Sequence, residues 1–240
     1  KCCSDSPDVA IAAPRGHAKT VLVNVGFSLA AACLEAQDFQ LKISRNRPIA
    51  IEFLRSVKDI LTRNEALIED FGILPIDQWE RDAEDDIIVP FENGYRFRMS
   101  ALGFEQNMRG TTWSTRRPGL IICDDIEDSE AVASKERNEK NMQLFMGTLK
   151  PMGHDETKFR VVGTILGAES LLQQFVESDS WDRLIFEAVD DKLSEESILW
   201  PEMYDEQWLR ARRHDLVSQG QADLYNQEYL NYPIDESRAM

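Results

Sequence analysis

Apolar and polar residues follow one another along the chain in segments typical of an α/β protein. Short apolar runs of strand length are followed by longer segments with helical spacing, and polar or Gly-containing stretches separate them. This pattern predicts a mostly parallel central sheet with helices on both faces. The predicted strands are 8–13, 39–44, 159–164 and 183–189, a run that starts at Leu120, and a hairpin of 87–89 and 95–99. The predicted helices are 19–35, a segment from Pro48 onward, 64–71, 130–149, 170–176 and 206–218.

The first predicted strand, turn and helix have the order of a phosphate-binding loop. Lys19 and Thr20 open the helix, where backbone N–H groups and the positive helix end can hold a triphosphate. Lys19 would reach the β- and γ-phosphates, and Thr20 would hold Mg²⁺ through its hydroxyl. The residues predicted to contact the nucleotide are Pro14, Arg15, Gly16, His17, Ala18, Lys19 and Thr20.

The loop departs from the usual pattern G-x-x-x-x-G-K-[ST]. Ala13 and Ala18 stand where that pattern has glycines, and only Gly16 can freely take a positive φ. An ordinary strand–loop–helix corner with a capping Thr is an equally good interpretation of this segment alone. The motifs further along the chain distinguish a phosphate-binding loop from an ordinary corner.

A second apolar run begins at Leu120 and ends in acids, as expected of a central parallel strand that opens into a site. Asp124 would hold Mg²⁺, directly or through water, and the next acid would polarise the attacking water. We assign that second role to Asp125 because of its position. Glu127 remains the alternative, because its longer side chain could compensate for a backbone that is set further back.

Two further polar residues are candidates for the same site. Arg15 could place its guanidinium on the γ-phosphate, although a surface arginine is an equally good interpretation. Thr164 ends a strand predicted to neighbour the acidic one, so its hydroxyl could sense the γ-phosphate or the water. A cap at the end of a strand explains this threonine nearly as well.

Charge and composition restrict the classes of protein. The net charge of −16 disfavours a surface that coats nucleic acid. Residues 9–34, 39–51 and 106–119 nevertheless contain no Asp or Glu, which suggests local sites for phosphate. Burial of the first stretch and small loops in the others would give the same pattern. The basic residues in these stretches are Arg15, Lys19, Lys42, Arg45, Arg47, Arg109, Arg116 and Arg117.

Three further expectations concern membrane-spanning helices, the cysteines and one acidic segment. No run of ~18 apolar residues is present, so a membrane-spanning helix is not expected. The four cysteines have no C-x-x-C spacing and are expected to be free thiols in a reducing cytosol. Residues 77–86 are rich in Asp and Glu and are predicted to be a solvated loop.

In their order, these motifs resemble the ATPase domain of the large terminase subunit, the genome-packaging motor of tailed bacteriophages. The segments that carry the resemblance are 13–20, 107–110, 117–127, 163–166, 199–202 and 227–233. The resemblance implies a RecA-like (ASCE) P-loop NTPase fold that binds ATP and Mg²⁺. It also implies translocation of double-stranded DNA by a pentameric ring on the portal of a procapsid, together with a small terminase subunit. The location would be the host cytoplasm, with no membrane partner.

The resemblance also assigns roles and boundaries. It makes Lys19 and Thr20 the phosphate and Mg²⁺ ligands, Asp124 the Walker B acid, and Asp125 the catalytic carboxylate. Arg15 becomes the loop arginine, and Thr164 falls in the coupling motif. A neighbouring subunit would supply an arginine, for which Arg109 is the first candidate and Arg116 or Arg117 the others.

Residues 1–233 would be the ATPase domain, without its adenine-contacting segment, and 234–240 would begin a linker to a nuclease domain. Nuclease activity is therefore not expected of this chain. The alternatives are a helicase or other RecA-like translocase, and a nucleotide-binding switch or assembly protein that does not hydrolyse ATP.

Overall fold

The structure is a computed structural model that describes residues 6–105, 111–128, 134–190 and 192–232. The chain forms two compact units, and each contains more than one stretch of sequence. The first consists of Lys1–Pro7, Thr20–Ile126 and Met142–Arg160, and the second of Asp8–Lys19, Glu127–Asn141 and Val161–Met240.

The described strands form one eight-stranded, mostly parallel sheet in the order β3-β4-β5-β2-β6-β7-β1-β8. Strand β2 pairs in parallel with β5 and β6, and β1 pairs in parallel with β8. Strand β4 pairs antiparallel with both β3 and β5. Every residue of β2 and β6 is buried, so both faces of the sheet are covered at these strands. The strands are β1 Asp8–Ala12, β2 Phe39–Ser44, β3 Arg81–Asp82, β4 Asp86–Pro90, β5 Arg96–Gly103, β6 Leu120–Asp124, β7 Lys158–Gly163 and β8 Asp182–Ile185.

Most of the predicted helices are present. The α-helices are α1 Ser28–Cys33, α2 Arg47–Arg63, α3 Glu65–Phe71, α4 Lys135–Leu144, α5 Leu171–Glu177, α6 Glu206–Ser218 and α7 Ala222–Leu230. A π-helical segment, Val21–Phe27, leads into α1, and another, Phe145–Leu149, continues α4. Single 3₁₀ turns are Ile76–Gln78, Lys150–Met152 and Glu195–Ser197. The π-helical segment before α1 is unusual, because π turns are rare and occur often at functional sites.

In the first unit, the core lies between α2 and the sheet. The helix begins after Asn46, whose side chain accepts a hydrogen bond from the backbone N–H of Ile49 at 3.1 Å, and Pro48 lies in its first turn. It packs against β5 and β2. The apolar residues predicted to face the core are all buried: Ala50, Leu54, Val57 and Leu61.

In the second unit, α6 and α7 pack together over a smaller core. Helix α6 begins after Asp205, whose carboxylate accepts a hydrogen bond from the N–H of Trp208 at 2.7 Å. The buried apolar residues of this core are Ala188, Val189, Leu193, Ile198, Leu209, Leu216, Tyr225, Tyr229 and Leu230.

The prediction of a solvated loop at residues 77–86 is wrong at its end. Asp86 begins β4 and is buried, because Arg98 donates to both of its carboxylate oxygens, at 2.8 and 2.9 Å, and Ser100 donates at 2.7 Å. Arg98 and Ser100 on the adjacent strand thus satisfy a carboxylate that the local sequence predicts to be exposed to solvent.

The last predicted strand, 183–189, is also too long. Strand β8 ends at Ile185, and the backbone N–H of Ala188 donates to the carbonyl of Tyr229 at 2.7 Å. Beyond Ile185 the chain therefore turns to the end of α7.

Two of the weaker expectations can be compared with the structure. Cys33 and Cys123 are buried free thiols, and burial raises the pKa of Cys33 to about 11. Cys2 and Cys3 lie outside the described residues. Within the described ranges, no helix has the length and apolar character needed to cross a membrane.

Candidate functional site

The phosphate loop has two residues in the left-handed region of backbone conformation. Gly16 has φ +78° and Ala18 has φ +56°. A Cβ atom on Gly16 would lie 2.5 Å from the hydroxyl oxygen of Tyr204, so a larger residue would have to displace that side chain and would also be strained at this φ. Ala18 adopts the conformation for which the usual pattern supplies a second glycine, at a cost of roughly 1 kcal/mol. The alanine therefore does not prevent this loop from forming.

Lys19 and Thr164 are in direct contact. The ammonium group of Lys19 donates to Oγ1 of Thr164 at 2.9 Å, and the same hydroxyl is 3.3 Å from the carbonyl oxygen of Ala13, to which it donates. The carbonyl of Gly163 accepts the N–H of Ala13 at 3.0 Å, which joins the end of β7 to the start of the loop. The structure thus brings together two residues that are 145 positions apart and that the sequence assigned to one site.

Arg15 is tied to helix α7. Its Nη1 donates to Oε1 of Glu228 at 2.9 Å, and its backbone N–H donates to the carbonyl of the same residue at 2.8 Å. The Arg15 side chain is 71% exposed, so this ion pair contributes about 0–1 kcal/mol and can be exchanged easily. To reach a γ-phosphate, the guanidinium would have to leave Glu228.

His17 and Tyr204 support the loop from one side. The His17 Nδ1–H donates to the carbonyl of Arg15 at 2.9 Å, and the two aromatic rings are 4.7 Å apart. The Tyr204 hydroxyl donates to the carbonyl of Gly16 at 3.2 Å. Burial lowers the pKa of His17, the hydrogen bond to Arg15 opposes this shift, and the charge of Lys19 adds to it. His17 is therefore a neutral support of the loop rather than a charged ligand.

Thr20 and Asp124 form the metal half of the candidate site. The hydroxyl of Thr20 donates to Oδ2 of Asp124 at 3.1 Å, and Asp124 is only 1% exposed at the end of β6. Adjacent ligands of an octahedral Mg²⁺ are about 3 Å apart, given metal–oxygen distances of 2.0–2.1 Å. Both are oxygen donors, so the pair fits Mg²⁺. The described residues contain no cluster of three His, Cys, Asp or Glu side chains that could hold a metal, so phosphate and water would supply the other ligands.

The two candidate bases differ in their surroundings. Asp125 is exposed and has φ +42°, a strained conformation for a residue other than glycine. Glu127 is partly buried, and its Oε2 accepts a hydrogen bond from the backbone N–H of Leu171 at 2.7 Å. Burial raises the pKa of Glu127 to about 7, against opposing hydrogen bonds from Leu171, Asn141 and Leu172.

Lys42 has a different environment from the one that the charge pattern suggested. Its side chain is fully buried in β2, and its ammonium group donates to the hydroxyl of Ser28, the first residue of α1. Burial lowers the pKa of Lys42 well below its usual range, and the charge of Asp124 opposes that shift. Lys42 is therefore an internal residue, and the expectation of a phosphate site at this lysine is wrong.

Comparison with known proteins identifies the fold. No family model matches the chain, and no curated protein matches it either. The ATPase domain of the large terminase of a Thermus phage is similar in structure, with a TM-score of 0.63 and 13% sequence identity, over 96% of this chain and 90% of that one. The chain has the fold of a terminase ATPase domain.

A large terminase from a thermophilic bacteriophage, solved with ADP, is also similar. The TM-score is 0.57 at 10% sequence identity, over 96% of this chain and 49% of that one. The chain thus spans about half the length of that terminase and most of the Thermus phage ATPase domain.

The structure does not test whether any of the three candidate arginines reaches a neighbouring subunit. Arg109 lies outside the described residues. Arg116 forms an ion pair with Asp38, and Arg117 donates to the carbonyl of Gly153 at 3.0 Å. Both arginines precede β6, whereas Asp124 ends it, so they lie at the opposite end of that strand. Their proposed role toward a neighbouring subunit stays a prediction.

Three residues contact members of the candidate site in ways that the sequence did not predict: Lys42, Tyr204 and Glu228. The signal for Lys42 was a basic residue within an otherwise apolar predicted strand. Tyr204 is 188 positions from Gly16 and Glu228 is 213 positions from Arg15, and no local pattern connects them to the loop. Their roles depend on tertiary contacts alone.

Proposed function

We propose that this chain is the ATP-hydrolysing motor domain of a DNA-packaging terminase. It would couple ATP hydrolysis to the translocation of double-stranded viral DNA into a procapsid. The observation that carries the proposal is that Lys19 contacts Thr164 and Thr20 contacts Asp124. The sequence predicted a role for each of these four residues at one nucleotide site. The terminase fold supports the same conclusion.

Each residue then has a role in ATP hydrolysis. Lys19 and the loop backbone bind the phosphates, and Thr20 and Asp124 hold Mg²⁺, which neutralises charge on the β- and γ-phosphates when it is bound. Asp125 accepts a proton from the attacking water, because Glu127 already accepts the N–H of Leu171. When a phosphate binds, the Thr164 hydroxyl loses its hydrogen bond from Lys19 and contacts the phosphate instead. The contacts of Thr164 therefore depend on whether the loop is occupied. Arg15 leaves Glu228 to contact the γ-phosphate.

The wider assembly belongs to the same proposal. We assign residues 1–233 to the ATPase domain and expect no nuclease activity from them. The active form is a pentameric ring on the portal of the procapsid, in the host cytoplasm, with a small terminase subunit that selects DNA. Basic side chains would contact the DNA backbone without sequence preference, so binding should weaken as salt rises.

The test is steady-state release of phosphate from ATP by wild type and Lys19→Ala, with and without DNA and procapsids. We expect wild type to hydrolyse ATP and the variant to lose at least about 99% of the activity, because one positioned cation at a reacting phosphate contributes a hundredfold or more. If neither protein releases phosphate under any of these conditions, the result would favour a nucleotide-binding assembly protein. Hydrolysis that responds to DNA but never to procapsids would favour a helicase or another translocase.

A further inference from the structure

A buried polar cluster lies behind the metal half of the candidate site. Its members are Ser28, Gln40, Lys42 and Ser44, and all of them belong to the first unit. Lys42 and Ser28 are both 0% exposed, in a unit whose other buried strand positions are mostly apolar. A buried ammonium group costs several kcal/mol unless it is well paired. An apolar side chain of similar length would avoid this cost, so the lysine needs an explanation beyond stability.

Two side chains of β2 hold the same residue of the helix. The ammonium group of Lys42 donates to the Ser28 hydroxyl, and the side-chain amide of Gln40 donates to the Ser28 carbonyl at 3.0 Å. Residues 40 and 42 share a face of the strand, because side chains alternate with a period of two. Ser28 is thus anchored to β2 through both its side chain and its backbone.

Ser28 lies at the point where the π-helical segment passes into α1. That segment, Val21–Phe27, starts directly after Thr20, whose hydroxyl contacts Asp124. A π turn contains more residues per turn than an α turn, so the position of Ser28 along this segment affects the direction in which Thr20 points. The anchor at Ser28 therefore fixes the helix end opposite the one that carries the metal ligand.

The same face of β2 also meets Asp124. Ser44 pairs with Asp124 in the parallel register of β2 and β6, and paired residues point to the same face of a sheet. Lys42 precedes Ser44 by two positions on that face, and its charge interacts with that of Asp124. One lysine thus connects the helix that carries Thr20 and the strand that carries Asp124.

We propose that Lys42 is a positioning residue for the magnesium ion, acting through Ser28 and beside Asp124. It holds the phosphate-loop helix on β2 so that the Thr20 hydroxyl and the Asp124 carboxylate stay aligned as adjacent metal ligands. This inference rests on the proposed ATPase function and adds a residue to it. Residues behind the direct ligands of a metal commonly change its affinity about 10- to 100-fold when they are replaced.

The test compares Lys42→Met, Ser28→Ala and the double variant with wild type. Three quantities are measured on the full chain: the thermal midpoint, the Mg²⁺ concentration that half-saturates ATP turnover, and the Mg²⁺ dependence of binding of a non-hydrolysable ATP analogue by calorimetry. Arg160→Met is the matched control. Arg160 is another fully buried cation on a strand, held by the carbonyls of Ser6, Pro7 and Phe159.

We expect all three test variants to need about tenfold more Mg²⁺ for binding and turnover. Lys42→Met and Ser28→Ala should each lower the midpoint, because each leaves a buried group without its partner. The double variant should lose less stability than the sum of the two single variants, because both changes break the same hydrogen bond. Arg160→Met should lower the midpoint and leave the Mg²⁺ requirement unchanged.

A raised Mg²⁺ requirement in the Lys42 and Ser28 variants, with a wild-type requirement in Arg160→Met despite its lower midpoint, is the pattern that a purely structural lysine would not give. A wild-type Mg²⁺ requirement in Lys42→Met overturns the inference and leaves the ATPase proposal standing. If Lys42→Met does not fold, a wild-type requirement in Ser28→Ala overturns it equally. A wild-type chain that neither binds the analogue nor hydrolyses ATP overturns both proposals.

Discussion

The phosphate loop in the second unit and the Thr20–Asp124 pair in the first unit are held in different ways. The phosphate loop has exchangeable contacts: the Arg15–Glu228 pair, whose arginine is exposed, and a lysine that donates to the neutral hydroxyl of Thr164. The Thr20–Asp124 pair includes a buried carboxylate and has a polar cluster behind it that includes Lys42. Under the proposed function, the groups that accept and release phosphate are those whose contacts cost little to break, whereas the metal ligands are supported by the core.

The two candidate bases allow the sharpest test of this comparison. Asp125 belongs to the first unit and Glu127 to the second. We expect Asp125→Asn to lower kcat by about a hundredfold or more while nucleotide binding is kept, because the variant cannot accept a proton from water. Glu127→Gln should retain most of the turnover. Single-turnover hydrolysis and calorimetric binding measure the two effects, and the opposite result for the two variants would show that the assignment is wrong.

Gly16→Ala should disturb the phosphate loop and leave the Thr20–Asp124 contact unchanged. The new Cβ would lie 2.5 Å from the Tyr204 hydroxyl oxygen, in a backbone conformation that alanine rarely adopts. We expect a loss of about 1–3 kcal/mol in the free energy of unfolding and weaker nucleotide binding. Urea unfolding and calorimetry measure these effects.

A double variant tests the cause of that loss. Removal of the Tyr204 hydroxyl with Tyr204→Phe should restore part of the stability in the Gly16→Ala background, since it removes the atom in the closest contact. If the two changes are simply additive, the clash is not the reason for the loss.

The smallest predicted effect concerns the stability of the second unit and its dependence on pH. Burial raises the pKa of Glu127 from 4.5 to about 7, so the folded chain holds this proton more tightly than the unfolded chain does. The resulting stabilisation is complete below pH 4.5 and is lost as the pH rises through 7. Glu127→Gln keeps an uncharged side chain of the same shape, so its free energy of unfolding should fall less between about pH 5 and 8.

Urea unfolding at several pH values measures this difference. Glu52→Gln, at an exposed position of α2, is the matched control and should follow the wild-type curve. If Glu127→Gln also follows the wild-type curve, Glu127 does not have the raised pKa.

The sequence predicted those parts of the fold that depend on local pattern. The strand–loop–helix order and the acidic end of β6 follow from short-range periodicity, and the structure contains both. Asp86 was misjudged because its neutralising partner, Arg98, lies on the next strand. Lys42 was misjudged because alternation along a strand does not show that both faces of the sheet are covered. Tyr204 could not be found at all, since only the fold brings it to Gly16.

The hydrogen bond from Lys19 to Thr164 has a consequence for the proposed motor. The hydroxyl that accepts from Lys19 is itself held to the carbonyl of Ala13, so the lysine is anchored at the start of the loop to which it belongs. A triphosphate that entered the loop would meet this cation already close to its working position, and little of each cycle would be lost on reshaping the loop.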